Sequence, residues 1–549
     1  MTFLIGEQSL VLAGSDGAVD VWFRLPSETG GDGFALVKAH ALEPHAGAVS
    51  GLAASERGKL LLSADVAGRV WLRHATSERT LAKLAAPQGA VEALALAPRD
   101  DGVLAFSRRQ ESLRILSWTV DQPHAETTLR TVFGPVWYEG YAAPGFTWQS
   151  SSGGDGFEPK LSLVPLIFGT LKATLYAMAF ALPIALGAAI YTAEFLHRRI
   201  RAAVKPAIEM MASLPSVVLG FIAALVLAPL VESWVAAVIL AFVALPLSLA
   251  AAAFLWQLLP AARARRLGGV PKFVLIGGVV GLGLWLAAAL GPWFERLVFA
   301  GDVKAWLEGD IGSAVPFLVL LLFVPSYLAI ALGTRRAAGD ALAAMTRPLG
   351  RAGLAAIDLA RWLAELAAAL LLAWLMAAAL AALGFDARGS LVEGYAQRNA
   401  LVVGFAMGFA VIPIVYTIAE DALAAVPEHL RAASLGCGAT PWQTAIRIVL
   451  PTALSGVFAA VMIGLGRAVG ETMIVVMAAG NTPVMEWNPF GGLRTLSANI
   501  AVELPEAVRD STLYRLLFLS ALVLFAITFA VNTLAEIVRL RFRKRAASL

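Results

Sequence analysis

Nine apolar runs follow residue 163, at about 164–195, 208–232, 234–259, 273–294, 315–333, 363–384, 400–420, 453–479 and 514–538. Each approaches or exceeds the roughly 20 residues a helix needs to cross a bilayer's hydrocarbon. No water is available there to satisfy backbone N–H and C=O groups, so such runs fold as helices that bond internally. The composition agrees, with 58% hydrophobic and only 15% charged residues. A soluble domain carries about a quarter charged. The chain is therefore expected to be an all-α polytopic membrane protein over most of its length, with a different, N-terminal portion before residue 163.

Basic residues set the orientation, because cytoplasmic loops retain Lys and Arg. "HRRIRAAVK" after the first run and "RARRLGGVPK" after the third hold four each. The segment 334–361 after the fifth holds five against two acids, and the terminal "RLRFRKR" holds five. The alternate connections, 295–314 and 481–513, each hold four acids and two bases. Odd-numbered spans then run from outside to inside, the C-terminus is cytoplasmic and residues 1–163 lie outside. The net charge of +4 is accounted for by these clusters and gives no reason to expect nucleic acid. A single cysteine, Cys437, excludes an intrachain disulfide. The start, "MTFLIGEQSLVLAGSDG", has neither a basic leader nor a continuous apolar core, so it is not read as a signal peptide.

The outer portion repeats itself. "HAGAVSGLAASERGKLLLSA" (45–64) aligns with "PQGAVEALALAPRDDGVLAFS" (87–107), so that Val49 matches Val91 and Leu52 matches Leu94. Each unit ends in a turn and an alternating strand, as in "GSDGAVDVWFRL", "ADVAGRVWLRH" and "SRRQESLRILSW". The period and pattern resemble WD-type propeller blades; a generic set of β-hairpins is the alternative. The expectation is an all-β, partial propeller-like extracytoplasmic domain over 1–130 and a linker over 131–163. Three blades do not close a propeller, which takes about four to eight, and a domain outside the membrane needs export. Both points lead to the expectation that a first span and further blades precede Met1.

Between the seventh and eighth runs lies "VPEHLRAASLGCGATPWQTAIRIVLP", Val426 to Pro451. It reads as a short amphipathic helix, a turn at Gly436 and Gly438, a second helix and a proline opening the next span. Such a rigid helix pair on the cytoplasmic face suits insertion into a partner's groove. The segment resembles the EAA loop of ABC-importer permeases, with Gly438, Ile448, Leu450 and Pro451 at that motif's spacing. Ala432 stands where the family has Glu, followed by Ala433 and Ser434. The resemblance implies that 426–451 is the coupling loop that docks on the ATPase subunit. The stretches "PLIFGTLKATLYAMAFALPIALGAAIYTAEF", "SLPSVVLGF", "GATPWQTAIRIVLPTALSG" and "GLGRAVGETMIVVMAAGNTP" further look like the permease of phosphate-specific ABC importers, the C-type subunit or its A-type paralogue. On this resemblance 164–232 and 399–549 form the permease core, and 233–398 is a four-span insertion whose even number preserves the orientation of the later helices.

Within the eighth run, "GRAVGET" places two charges where each costs roughly 2.5–3.5 kcal/mol even on mild insertion scales. In a continuous helix Arg467 and Glu471 share a face, and Gly466 and Gly470 form a small-x-x-x-small pair suited to close helix contact. Intramembrane charges face a bundle interior or an aqueous path, and a guanidinium suits an oxyanion because its fork donates parallel hydrogen bonds. The resemblance implies that Arg467 and Glu471 serve transport, with Thr472 as a candidate hydroxyl contact; a structural ion pair is the other reading. Glu194 and Glu209 are expected to be solvated at helix ends. Pro183, Pro215 and Pro413 are expected to kink spans, with Pro215 a candidate hinge. The six histidines show no metal-ligand spacing, no cofactor is expected, and there is neither a phosphate-binding G-x-x-x-x-G-K-[ST] loop nor a nucleophile motif.

The resemblance implies a multi-pass permease subunit in a bacterial inner membrane that moves inorganic phosphate without altering it. Its partners would be a paralogous permease, a dimeric cytoplasmic ATPase, a periplasmic phosphate-binding protein and the lipid. Molybdate or sulfate is the alternative cargo, and a membrane-anchored sensor or scaffold derived from a permease is the alternative of another class.

Overall fold

The computed structural model describes residues 1–549 apart from 27–32, 86–90, 110–111, 121–123, 153–156, 261–262, 264–266, 268–269, 347–349, 387, 389–391, 393 and 547–549. Arg265, Arg266 and Arg347 of the basic runs, and residues 87–90 of the second repeat, thus lie outside the described residues. Two compact units make up the chain. One comprises Met1–Thr170, Pro483–Met485 and Arg494–Ala526; the other comprises Leu171–Thr482, Glu486–Leu493 and Ile527–Leu549.

The first unit holds antiparallel meanders. β1 (Thr2–Phe3), β2 (Ser9–Ala13), β3 (Val19–Pro26) and β4 (Phe34–Leu42) form one sheet in that order. β5 (Val49–Ala54), β6 (Leu60–Asp65), β7 (Arg69–His74) and β8 (Arg79–Ala85) form the second. β9 (Val91–Leu96), β10 (Gly102–Arg109) and β11 (Ser112–Thr119) form the third. The repeat read from the sequence is visible in the equivalent places of β5 and β9. Side chains alternate across a strand, so Leu61 enters one core with Val11, Val19, Val21 and Phe23, while Leu62 enters another with Val70, Val91, Val103 and Ala105. The middle sheet is consequently buried on both faces. The sheets stack, and they do not close into a barrel.

A polar network lies inside the middle sheet. His45 stacks on Trp71 with ring centroids 4.2 Å apart, and its Nε2 lies 2.9 Å from Ser63 Oγ. Ser63 Oγ also accepts from Arg73 Nε at 2.9 Å. Asp65 accepts the backbone N–H groups of Ala67 and Arg69, each at 3.0 Å, which fixes the β6–β7 turn. Over 131–163, where a linker is expected, the chain forms a short helix α1 (Leu129–Phe133) and a two-stranded pair, β12 (Trp148–Gln149) with β13 (Lys160–Leu161).

The remaining structure is helical. Nine helices among the described residues are long and apolar enough to cross a membrane. α2 (Val164–Glu194) is followed by α3 (Arg198–Ala212), an amphipathic helix without a buried residue. α4 (Ser216–Ile222) and α5 (Ala228–Ser233) make the second span. Residues 233–398, expected to be an insertion, contain two antiparallel hairpins: α6 (Val235–Leu258) with α7 (Val270–Val298), and α9 (Val315–Thr346) with α10 (Arg351–Ala382). A small helix, α8 (Val303–Leu307), follows α7; its Trp306 is wholly buried in a cluster with Phe294, Phe299, Val392 and Phe490. Full burial of so large an aromatic is worth on the order of 3 kcal/mol.

α11 (Ala400–Ala424) then leads to α12 (Glu428–Gly436), α13 (Pro441–Thr444), α14 (Leu450–Gly470), α15 (Met473–Ala478), α16 (Leu496–Glu503) and α17 (Thr512–Ala546). α11 and α14 touch where α14 lacks side chains. A Cβ on Gly456 would lie 2.5 Å from Ala422 Cβ, and one on Gly464 would lie 2.4 Å from Val415 Cγ2. The close contact expected of Gly466 and Gly470 is not formed among the described residues: a Cβ on Gly470 would meet nothing within 4 Å, and one on Gly466 would meet Asn532 Oδ1 at 3.5 Å.

Two spans contain a π-helical turn, Ala223–Leu227 before α5 and Ala445–Val449 before α14. Each ends two residues before a proline, Pro229 and Pro451. A proline removes one N–H and crowds the preceding turn, and a locally widened turn accommodates both effects. Pro183 and Pro413 lie inside α2 and α11. Pro215 does not interrupt a span; it is the N-cap of α4, where its fixed φ separates α3 from the second span.

Candidate functional site

α14 ends at Gly470, and Glu471 has the extended geometry of φ −67° and ψ 129°. Thr472 then starts the separate helix α15. The continuous helix expected over 453–479 is therefore broken inside "GRAVGET", and the eighth span instead runs from Pro441 to Gly470. Arg467 occupies the last turn of α14, where its charge is favoured by the carbonyl end of the helix dipole. Glu471 does not extend that face, so the two residues are not a helical i,i+4 pair. Arg467 Nε is buried and has no hydrogen-bond partner among the described residues. A buried donor without an acceptor costs about 1–3 kcal/mol, more for a charged group. Thr472 Oγ1 donates to the carbonyl of Gly470 at 3.2 Å. The arrangement is a positive group beside a helix break, with a carboxylate and a hydroxyl in the loop beyond it.

The 426–451 loop has the geometry of a rigid bracket. α12 carries Ala432, Ala433 and Ser434 and ends in a Schellman closure. Gly438 N–H donates to Leu435 O at 3.0 Å and Ala439 N–H to Ser434 O at 3.2 Å, with Gly438 at φ +87°. Thr440 and Gln443 cap α13 reciprocally, at 2.8 and 3.2 Å. Ser434 Oγ lies 2.9 Å from Thr444 Oγ1 and ties α12 to α13. Ile448 falls in the π turn, with Leu450 and Pro451 opening α14. Trp442 is 60% exposed on this bracket, although it is a large aromatic.

Where the EAA motif has Glu, Ala432 supplies no charge, but Arg431 beside it is anchored. Its Nη2 lies 3.0 Å from Glu194 Oε1 at the end of α2 and donates to Leu423 O at 2.7 Å. Glu194 is accordingly paired rather than solvated, while Glu209 is exposed as expected. One turn deeper, Glu420 of α11 is wholly buried and binds both Arg201 and Lys205 of α3, the latter at 2.9 Å. Lys205 also bonds Asp421, and these hydrogen bonds hold its ammonium pKa above the ordinary lysine range. The sequence signal was the Glu-Asp pair interrupting the otherwise apolar end of α11.

Sequence reasoning also passed over Lys172 in "GTLKATL". It lies within the first span with its side chain fully buried. No cluster of three or more His, Cys, Asp or Glu suited to a metal occurs among the described residues.

The described residues thus combine nine helices long and apolar enough to cross a membrane with a helical bracket between two of them. Residues 280–547, just under half of the chain, match the family of binding-protein-dependent transport system inner membrane components. More particularly, the chain is similar to the "Phosphate transport system permease protein PstC" of Mesorhizobium japonicum, at 36% identity over 135 residues, 25% of this chain and 41% of that protein. The protein of the same description from Xylella fastidiosa is 35% identical over 146 residues, 26% and 44% of the two chains. "PstC 1" of Mycobacterium tuberculosis is 36% identical over 139 residues, 25% and 41%. The chain thus spans less than half the length of these curated relatives. Among solved structures, the computationally designed Ika4 protein aligns with 21% of the chain and 61% of its own, at 21% identity and a TM-score of 0.16, which carries no argument about fold.

Proposed function

We propose that this chain is the C-type permease subunit of an ATP-driven importer of inorganic phosphate. The observation that carries the reading is Arg467, whose buried Nε has no partner among the described residues and whose helix ends one turn on, at a break. A guanidinium in that state is prepared for a ligand rich in acceptors, and a phosphate oxyanion is such a ligand. The naming of the similar proteins as phosphate permeases supports the cargo. On this reading Arg467 attracts the anion, Glu471 limits its dwell time by repulsion, and Thr472 offers a hydroxyl. The chain carries out no chemistry itself. A dimeric ATPase subunit docks on the bracket of α12 and α13, a paralogous permease completes the path, and a periplasmic binding protein delivers the anion. The stacked sheets, read as blades of a partial propeller, lie on the outer side, and the basic C-terminus lies in the cytoplasm.

The test is radiolabelled phosphate uptake in cells lacking their own high-affinity importer, supplied with this chain and its cognate partners. ATP-dependent uptake that resists excess sulfate and molybdate, and falls by about 100-fold or more in Arg467→Ala with insertion unchanged, is the expected result. Competition by sulfate or molybdate would reassign the cargo. Uptake that survives Arg467→Ala would reduce that residue to a structural role. Failure to co-purify with any ATPase would favour a sensor or scaffold.

A further inference from the structure

Lys172 is a charged side chain with no part in the path at Arg467. It sits on α2 inside the first span and is 0% exposed. An ammonium removed from water needs partners for its three donors. Among the described residues it has one hydrogen bond, to Gly492 O at 3.4 Å, beyond the usual 2.7–3.2 Å. It forms no direct ion pair there, and the carboxylate that acts on it electrostatically is Glu486.

The loop above it is built to hold both groups. The carbonyls of Pro489, Phe490 and Gly491 accept from the backbone N–H groups of Leu401, Ala396 and Ala400 at 2.9, 2.8 and 3.0 Å. Asn488 Nδ2 donates to Gly394 O at 2.8 Å, and Leu493 N–H donates to Ala479 O at 3.1 Å. With its neighbours so engaged, Gly492 is the residue whose carbonyl meets Lys172. Glu486 is folded onto the same turn, since a Cβ on Gly491 would lie 1.7 Å from its Oε1. A Cβ on Gly492 would meet Thr482 Oγ1 at 2.9 Å. The Gly-Gly turn thus brings the partly buried Glu486 carboxylate onto the turn whose Gly492 carbonyl meets the buried Lys172.

We propose that Lys172 and Glu486 form a second anion station, in which an oxyanion replaces the Gly492 carbonyl on Lys172 while Glu486 repels it onward. This rests on the reading of the chain as an oxyanion permease, and it adds a binding residue on the first span to those on the eighth. A divalent oxyanion supplies the several acceptors that the ammonium lacks.

The complex is tested in a Cys437→Ser background, with Lys172→Cys as the variant. Phosphate uptake should show KM raised by about tenfold or more. Treatment with aminoethyl methanethiosulfonate, which restores an ammonium, should recover uptake, whereas the uncharged methyl reagent should not. Equal recovery by both reagents, or an unchanged KM in the variant, would overturn the proposal in favour of packing. A second readout does not depend on transport: modification of the introduced thiol by a charged maleimide in membranes should be slowed by millimolar phosphate. Failure of phosphate, sulfate and molybdate alike to protect it would overturn the station even if uptake proves the permease. Protection by sulfate alone would keep the station and displace phosphate as cargo.

Discussion

Gly436 and Gly438 stand two residues apart in one turn, yet alanine at the two positions should act in opposite directions. Gly438 has φ +87°, and a Cβ added there would have nothing within 4 Å, so its replacement meets no clash and only the left-handed backbone opposes it. That conformation costs an L-residue about 1–2 kcal/mol. Gly436 is the last helical residue of α12, has no positive φ and also faces open space. Alanine there should stabilise the final turn by about 0.5–1 kcal/mol, because glycine loses more conformational freedom in a helix. The variants should therefore differ by about 2 kcal/mol, or roughly 30-fold in a local opening equilibrium. Hydrogen exchange at the amides of Gly438 and Ala439, which close the turn onto Leu435 O and Ser434 O, reads this directly. Gly438→Ala should exchange faster, Gly436→Ala slower, and Gly438→Asn should fall between wild type and Gly438→Ala because Asn tolerates this region. Changes of the same sign in both alanine variants would refute the closure as the element that holds the bracket.

Partly or fully buried charge and polarity lead to further expectations. Arg431→Ala leaves Glu194 half-buried without its partner and should destabilise the α2–α12 contact by about 1–3 kcal/mol, with less loss when Glu194→Gln is added; a double-mutant cycle on thermal unfolding in detergent measures the difference. Ser63→Ala removes the shared partner of His45 Nε2 and Arg73 Nε, both buried, and should cost about 2–4 kcal/mol, seen as faster exchange in β5–β8 with the helices unchanged. Burial pushes the Glu158 carboxyl up to about 7 from an ordinary 4.5, against the lowering effect of Thr76 and Lys59. The folded state then keeps a proton that the unfolded state has lost, so this group's contribution falls as pH rises from 4.5 to 7. Glu158→Gln should flatten that part of the stability profile relative to wild type; an unchanged slope would argue against the assignment.

The spans were legible because length and hydropathy alone require them, and the bracket was legible because glycine, proline and capping residues mark turns locally. The break after Gly470 was not. "GLGRAVGETMIVV" is apolar on both sides of the charges, and hydropathy sums over a window without registering the backbone angle at Glu471. Lys172 was overlooked for a related reason: one lysine barely lowers the mean of a 31-residue apolar helix. Its importance lies in its cover, a loop more than 300 positions away in sequence. The Arg431–Glu194 contact was equally remote, joining the end of the first span to the bracket. Ala432 drew attention to a missing charge, while the adjacent arginine held the bracket to the bundle.

The π turn at Ala445–Val449 acts as a phase setting for the rod beyond it. A regular helix advances about 100° per residue, so a single added or deleted residue turns every later side chain to a new bearing. Deleting one residue there, with Pro451 replaced to permit a regular helix, would leave length and hydropathy nearly as they are. Gly456 and Gly464 would rotate away from α11, and Arg467 would be aimed at a different neighbour. The direction of the charge is thus chosen some twenty residues upstream, by the way the chain makes room for a proline.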